Sequence, residues 1–180
     1  MKKNIWIFGL FSGLIVAIFM VVSTALCYND PNFESSMLVG YAGMLLAFSF
    51  VFVGIKNYRD KFNNGAVSFV QALKIGGLIM LIASTFYVVV WLFDYYLFVP
   101  DFMDRYTAHV ITQAKAEGDS PAEISKQVAE LANYKEMYSS PIGVILLTYM
   151  EILPVGIIVT LISALILKRK SNAGETAIAA

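Results

Sequence analysis

Four long runs of apolar residues constrain this chain more than any other feature. They cover about residues 5–28, 37–55, 75–93 and 142–167, and no Lys or Arg interrupts them. Each is close to the roughly 20 residues that a helix needs to cross about 30 Å of hydrocarbon. Because hydrocarbon offers the backbone no hydrogen-bond partner, runs of this kind are expected to be helices. The pattern predicts an all-α integral membrane four-helix bundle with helices at about 5–28, 37–55, 68–98 and 142–167.

Composition supports a bilayer as the solvent of this chain. Of its 180 residues, 58% are hydrophobic and only 14% are charged, whereas soluble domains carry about 25% charged residues. A chain of this length is expected to form one domain, at 1–170, followed by a small, polar, disordered tail at 171–180. The first apolar run exceeds the 7–15 residues of a signal-peptide core, so we interpret it as a retained helix.

The distribution of charge predicts the orientation. The two ends and the connection between the second and third runs hold two acids and nine basic residues: Lys2, Lys3, Lys56, Arg59, Lys61, Lys74, Lys168, Arg169 and Lys170. The opposite side holds nine acids and four basic residues. The positive-inside rule therefore predicts cytoplasmic N- and C-termini. An even number of membrane helices agrees with this orientation.

The segment 99–140, between the third and fourth runs, is predicted to be a helical hairpin on the outside. Ser120 and Glu123 form a capping box with Pro121 at the first helical position. Gly118 and Asp119 favour a turn immediately before this capping box. Apolar residues then recur on one helical face: Ile124, Val128, Leu131 and Tyr138. A second face precedes the turn: Phe102, Tyr106 and Val110.

Glu151 is the acid that stands inside the fourth apolar run. An ionisable group at such a depth costs about 2.5–3.5 kcal/mol on insertion scales, so we expect it to face the bundle interior. Pro154 adds a polar spot because it leaves the Met150 carbonyl without its helical partner. Three residues at similar depth are candidate hydrogen-bond partners: Tyr41, Tyr87 and Thr85. Three interpretations stay open: a proton or cation site, the floor of a ligand cavity open to the outside, or a protonated carboxyl that bonds to a tyrosine and holds helices together.

Two further features of the apolar runs admit structural interpretations. Asp94 lies among Trp91, Tyr95 and Tyr96, which predicts a solvated acid within an aromatic belt at the membrane interface. Gly9 and Gly13 form a GxxxG pair, which lets helix backbones approach closely. This pair predicts packing within the chain or, alternatively, the seam of a homodimer.

The chain lacks the residue patterns of the common enzyme and metal sites. It has one cysteine, Cys27, and one histidine, His109, so neither an internal disulfide nor a thiolate or imidazole cluster is expected. Nucleophile-elbow, zinc-protease and phosphate-loop motifs are absent from the sequence. We therefore expect no enzyme activity, no metal and no cofactor.

The basic connection has both a structural and a binding interpretation. Its predicted members are Lys56, Tyr58, Arg59 and Lys61. Basic residues at the cytoplasmic edge set topology and contact anionic headgroups, so nucleic-acid binding is not expected. A docking surface for a cytoplasmic or membrane partner is the alternative. Ser68 and Gln71 are predicted to form a capping box that begins the third helix.

The stretch Gly54-Ile55-Lys56-Asn57-Tyr58-Arg59-Asp60, followed by Gly65, Ser68-Phe69, Ala72 and Gly76, resembles a known family. It is similar to the bacterial membrane proteins grouped as domain of unknown function 4199. The resemblance covers roughly residues 5–170. It implies a location in the inner membrane and no established activity, and it lends no catalytic residue.

Together these features predict an inner-membrane protein with a non-enzymatic accessory or structural role. The expected partners are the lipid bilayer and a second copy of the chain or another membrane protein. The alternative is a small transporter or channel subunit that uses Glu151 as a proton or cation site.

Overall fold

The structure is a computed structural model, and it describes residues 1–30 and 37–169. The described residues form six helices: α1 (Lys2–Asn29), α2 (Met37–Phe62), α3 (Phe69–Leu97), α4 (Phe102–Glu117), α5 (Pro121–Tyr138) and α6 (Pro141–Leu167). Four of them, α1, α2, α3 and α6, are long and apolar enough to cross a membrane. The all-helical prediction is therefore confirmed. The predicted tail at 171–180 lies outside the described residues.

Local sequence signals set several helix ends. Ser68 accepts a hydrogen bond from the backbone N–H of Gln71 at 3.2 Å and begins α3. Ser140 begins α6 in the same way, with a proline at the first helical position. Gly118 ends α4 with a φ of 84°, a left-handed conformation that glycine adopts without a Cβ clash. Ser120 and Glu123 then form the complete predicted capping box.

The α2 helix is longer than the apolar run that predicts it. It continues past Ile55 to Phe62, so Lys56, Arg59 and Lys61 lie on its last turns rather than in a loop. Basic side chains are favourable there because the carbonyl end of a helix carries partial negative charge. The connection to α3 is therefore only 63–68, and the prediction of a basic loop is wrong in that respect.

The four long helices pack around one apolar core. The α1 helix contacts α2 and α3, and α6 contacts the same two helices from another side. Large side chains with no more than 1% exposure fill the centre: Phe48, Ile55, Ile75, Ile79, Ile152, Val67 and Val144. The two shorter helices, α4 and α5, pack on each other, and α5 also contacts α6.

The glycine pair on α1 lies against α3. A Cβ on Gly9 would lie 2.8 Å from the Cβ of Ile82, and a Cβ on Gly13 would lie 2.8 Å from the Cβ of Phe86. These distances are shorter than van der Waals contact, so only glycine fits this approach of the two backbones. The pair serves packing within the chain, and the alternative of a homodimer seam at these glycines is wrong for this fold.

Candidate functional site where the hairpin meets the long helices

Two aromatic pairs join the α4–α5 hairpin to α3. The ring of Phe102 on α4 meets Trp91 edge-on, with 5.4 Å between centroids. The ring of Tyr138, at the end of α5, meets Tyr95 with 5.2 Å between centroids. Trp91 and Tyr95 are only 7% and 8% exposed. They pack inside the protein, whereas Tyr96 is exposed, so the predicted aromatic belt at the interface is wrong for two of its three members.

A polar clamp holds the hairpin to α1. The Arg105 guanidinium lies 4.2 Å from the centre of the Tyr28 ring and donates to the Tyr28 carbonyl. The Tyr28 hydroxyl donates to the Asp101 carboxylate at 2.5 Å. Lys135 on α5 pairs with Asp104 on α4, which ties the two arms of the hairpin together. The hairpin is thus attached to both α1 and α3.

Tyr138 connects three helices at this junction. Its hydroxyl makes hydrogen-bond contacts with the side chains of Trp91 on α3 and Thr148 on α6. Burial raises the pKa of Tyr138 to about 12, and the nearby Glu151 carboxylate adds to the rise. The phenol therefore stays neutral at physiological pH, and its function here is to donate and accept hydrogen bonds.

Glu151 does not have the hydrogen-bond partners that its position predicts. The residue is exposed on α6, and within residues 1–30 and 37–169 its carboxylate makes no hydrogen bond. Thr85 donates to the Leu81 carbonyl and so accepts from the Tyr149 hydroxyl at 2.8 Å. Residues 149 and 151 lie about 200° apart around a helix, which directs Glu151 away from Thr85.

The remaining predicted partners of Glu151 differ in their burial. Tyr41 is 45% exposed on α2. Tyr87 is 7% exposed, and it lies within electrostatic range of Glu151. Of the predicted group, the structure therefore brings Tyr87 alone near the carboxylate. A role of Glu151 in proton or cation binding stays a prediction.

Asp94 is a member of the site whose burial the sequence did not predict. It is 9% exposed, and its Oδ2 atom has no hydrogen-bond partner in the described part of the chain. The expectation of a solvated interfacial acid is therefore wrong. Its helical spacing carried the signal, because Asp94 lies seven residues after Tyr87 and three after Trp91, on the face that α3 buries. A buried carboxylate oxygen without a hydrogen-bond partner is costly.

The sequence profile of the family described as "Protein of unknown function (DUF4199)" matches residues 7–169. The chain belongs to this family. The resemblance carried by residues 54–76 is thereby confirmed. Neither a curated protein nor a solved structure matched the chain.

In this DUF4199 protein, the residues that carried the resemblance join the basic ends of the long helices. The Gln71 side-chain amide donates to the Tyr58 hydroxyl at 3.1 Å. In the described residues only the Ser68 half of the capping box predicted at the start of α3 is formed, because Ser68 accepts from the Gln71 N–H without a return bond to the Gln71 side chain. Arg59 pairs with Asp60 at 2.6 Å and reaches the carbonyl of Leu167 at 3.5 Å. Tyr58 is buried and Arg59 is half-buried, whereas Lys56 and Lys61 are exposed.

A short series of side-chain hydrogen bonds connects α1 to α2 at the same end of this DUF4199 protein. The Asn57 amide donates to the side-chain oxygen of Asn4 at 2.6 Å, and the Asn4 amide donates to the Gly54 carbonyl at 2.9 Å. Asn4 is 4% exposed, so these bonds satisfy an amide that would otherwise be buried without partners. The arrangement favours a structural role for this motif. In the described ranges, no three His, Cys, Asp or Glu side chains gather at a spacing suited to a metal ion.

Proposed function

We propose that this DUF4199 protein is a non-enzymatic accessory or structural protein of the inner membrane. Its four long helices would form the membrane bundle, with both termini in the cytoplasm and the α4–α5 hairpin outside. The observation that carries the proposal is the attachment of the hairpin to both α1 and α3. Arg105 and Phe102 fix α4, and Tyr138 fixes α5. A hairpin held in this way is a rigid element that can present a surface to a partner.

The exposed side of the hairpin supports a docking role. No residue of the α5 helix is fully buried, although Tyr138 at its end is half-buried in the junction. The helix carries charged side chains of both signs, among them Lys126 and Glu130. Mixed charge at the rim of an interface favours specificity and orientation more than affinity. The proposed partner is a second copy of the chain or another membrane protein.

Charge asymmetry supports the proposed orientation. Lys56, Lys61 and Lys168 are exposed at one end of the long helices. The hairpin at the other end is acidic in sum, because segment 99–140 has seven acids and four basic residues. Topology reporters fused after Lys61 and after Lys170 should read cytoplasmic, and a reporter at Gly118 should read external. A cytoplasmic signal at Gly118 would overturn the orientation.

The docking role can be tested without disturbing the fold. Exchanging Lys126 and Glu130 keeps their pairing along α5 and reverses the local charge pattern. The proposal expects proteins that co-purify with the intact chain in mild detergent to be lost from the exchanged variant, while its thermal midpoint is unchanged. Identical co-purification from both proteins would exclude the hairpin surface as the docking element.

A transporter or channel subunit is the second candidate function. The observation that favours it is the Glu151 carboxylate, which lies within electrostatic range of Tyr87 and Tyr138 and makes no hydrogen bond in the described part of the chain. Glu151→Gln keeps the size of the side chain but can neither exchange a proton nor balance a cation. Proton or cation flux in reconstituted vesicles that is lost in Glu151→Gln, and retained in the hairpin control Glu130→Gln, would establish this candidate. The accessory role expects no flux in any of the three proteins.

A further inference from the structure

An open pocket of about 570 Å³ lies at the basic end of the protein, away from the hairpin. It forms where the α2–α3 connection meets the residues that follow α6. Its lining includes Ala66, Val67, Ser68, Phe69, Lys168 and Arg169. Neither the hairpin junction nor the proposed docking surface uses this pocket.

Two backbone hydrogen bonds fix the shape of the pocket. The N–H of Val67 donates to the carbonyl of Arg169 at 3.0 Å, and the N–H of Arg169 donates to the carbonyl of Val67 at 2.8 Å. Val67 is only 1% exposed, so this bridge anchors the segment after α6 to the core. Because the bridge uses backbone atoms, the Arg169 side chain can be changed without breaking it.

The polar part of the lining favours an anion. Lys168 and Arg169 are exposed, and no acid is among the lining residues. Asp60 lies within electrostatic range of Arg169, but its carboxylate is paired with Arg59 at 2.6 Å. The Ser68 oxygen accepts from the Gln71 N–H, and its own hydroxyl proton remains available for a ligand oxygen. Two cations and a hydroxyl donor suit a phosphate group.

The apolar part of the lining and its position select the kind of phosphate. Ala66, Val67 and Phe69 form an apolar wall, which would contribute nothing to the binding of inorganic phosphate. The cations directly follow the apolar helix α6, at the level where lipid headgroups meet the ends of membrane helices. We propose that this pocket binds the phosphate group of an anionic phospholipid, with Lys168, Arg169 and Ser68 on the phosphate and the apolar wall against the rest of the lipid.

Substitutions at Ser68 test the proposal with little effect on the helix. Asp and Asn are as good as Ser at a helix N-cap, so Ser68→Asp and Ser68→Asn should both keep α3 intact. Ser68→Asp adds a negative charge to the pocket, whereas Ser68→Asn is its neutral match. In titrations of the purified full chain in neutral detergent with short-chain phosphatidylglycerol, native mass spectrometry should show lipid bound to wild type and Ser68→Asn. Ser68→Asp should lose most of the bound lipid.

Charge removal gives an independent measurement. Each basic side chain near an anionic lipid surface is expected to contribute about fivefold to affinity, so Lys168→Gln with Arg169→Gln should weaken binding roughly 30-fold. The control is Lys115→Gln with Lys126→Gln, which removes two exposed charges from the hairpin. Thermal midpoints in lipid-free detergent should match wild type in both double variants, which separates a binding defect from a folding defect.

Two outcomes would overturn the proposal, and one would change the source of the phosphate. Equal phosphatidylglycerol binding by wild type, Ser68→Asp and the Lys168/Arg169 double variant would exclude the pocket. Equal weakening by the hairpin control would show a general charge effect instead of a site. Competition by millimolar inorganic phosphate against the lipid would show that the phosphate group alone suffices, and the ligand would then be a soluble phosphate rather than a lipid.

Discussion

The Arg105 guanidinium on α4 makes two contacts with Tyr28 at the end of α1. It lies 4.2 Å from the ring centre and donates a hydrogen bond to the backbone carbonyl. The two residues are 77 positions apart in the chain. This contact fixes α4 against the first long helix, and the aromatic pairs of Trp91 and Tyr95 fix the hairpin against the third.

Arg105→Ala should loosen the hairpin without unfolding the long helices. The substitution removes an exposed cation–π contact, a charged hydrogen bond and the 3.5 Å ion pair with Asp101. We expect faster amide exchange across 102–138 and unchanged exchange in α1, α3 and α6, measured by mass spectrometry. Lys126→Ala, which loses only a 4.0 Å surface pair, is the control. Unchanged exchange in Arg105→Ala would mean that the aromatic pairs alone hold the hairpin.

Gly9→Ala and Gly77→Ala should change the free energy of unfolding in opposite directions, or by clearly different amounts. A Cβ at Gly9 meets two atoms of Ile82 at 2.8 Å, whereas a Cβ at Gly77 meets nothing within 4 Å. Overpacking at Gly9 should destabilise the protein by about 1–3 kcal/mol, and Gly77→Ala should be neutral or stabilising by up to about 1 kcal/mol. Denaturation midpoints in mixed micelles measure both. Equal midpoints would contradict the close α1–α3 approach.

Asp94→Asn should stabilise the protein. It replaces a buried carboxylate whose Oδ2 has no partner in the described residues with a neutral side chain of the same size. The expected gain is about 1 kcal/mol or more, because an unpaired buried charge costs more than a buried amide. Asp119→Asn is the control, since its side-chain oxygen can still accept from Gln127. A lower thermal midpoint for Asp94→Asn would show that the negative charge is needed.

Glu123 should make the start of α5 sensitive to acid. The hydrogen bonds from Ser120 hold the pKa of the Glu123 carboxyl below its usual value of 4.5. A lowered folded-state pKa means that the capping contribution is present above the unfolded-state pKa and is lost as pH falls through the folded-state value.

The measurement compares amide exchange at residues 121–124 in wild type and Glu123→Gln at the same pH. Wild type should be better protected at about pH 7, and the difference should be lost as the pH falls through the folded-state pKa of Glu123. Equal protection of wild type and Glu123→Gln at about pH 7 would assign the capping to the Ser120 hydroxyl alone.

The parts of the fold that the sequence predicted are those with local causes. Apolar runs predict the long helices because backbone N–H and C=O groups must hydrogen-bond to each other wherever water is excluded. Ser120 and Glu123 predict the start of α5 because both partners of the capping box lie within one turn. The family followed from a motif whose members are close in the chain. Gln71 marks the limit, because its side-chain amide donates to the hydroxyl of Tyr58 on α2, a tertiary contact that no local pattern predicts.

By itself, the sequence determined the helices, their caps and the charge asymmetry between the two ends. The tertiary structure decided which side chains meet. In the tertiary structure, Tyr149 rather than Glu151 forms a hydrogen bond with Thr85, and Asp94 is buried beside the aromatic junction. Ile82 and Phe86 of α3 pack against Gly9 and Gly13. These outcomes depend on the rotation of each helix about its axis, where neighbouring residues differ by about 100°. Packing against the other helices selects that rotation, and an almost uniformly apolar helix carries little local information about it.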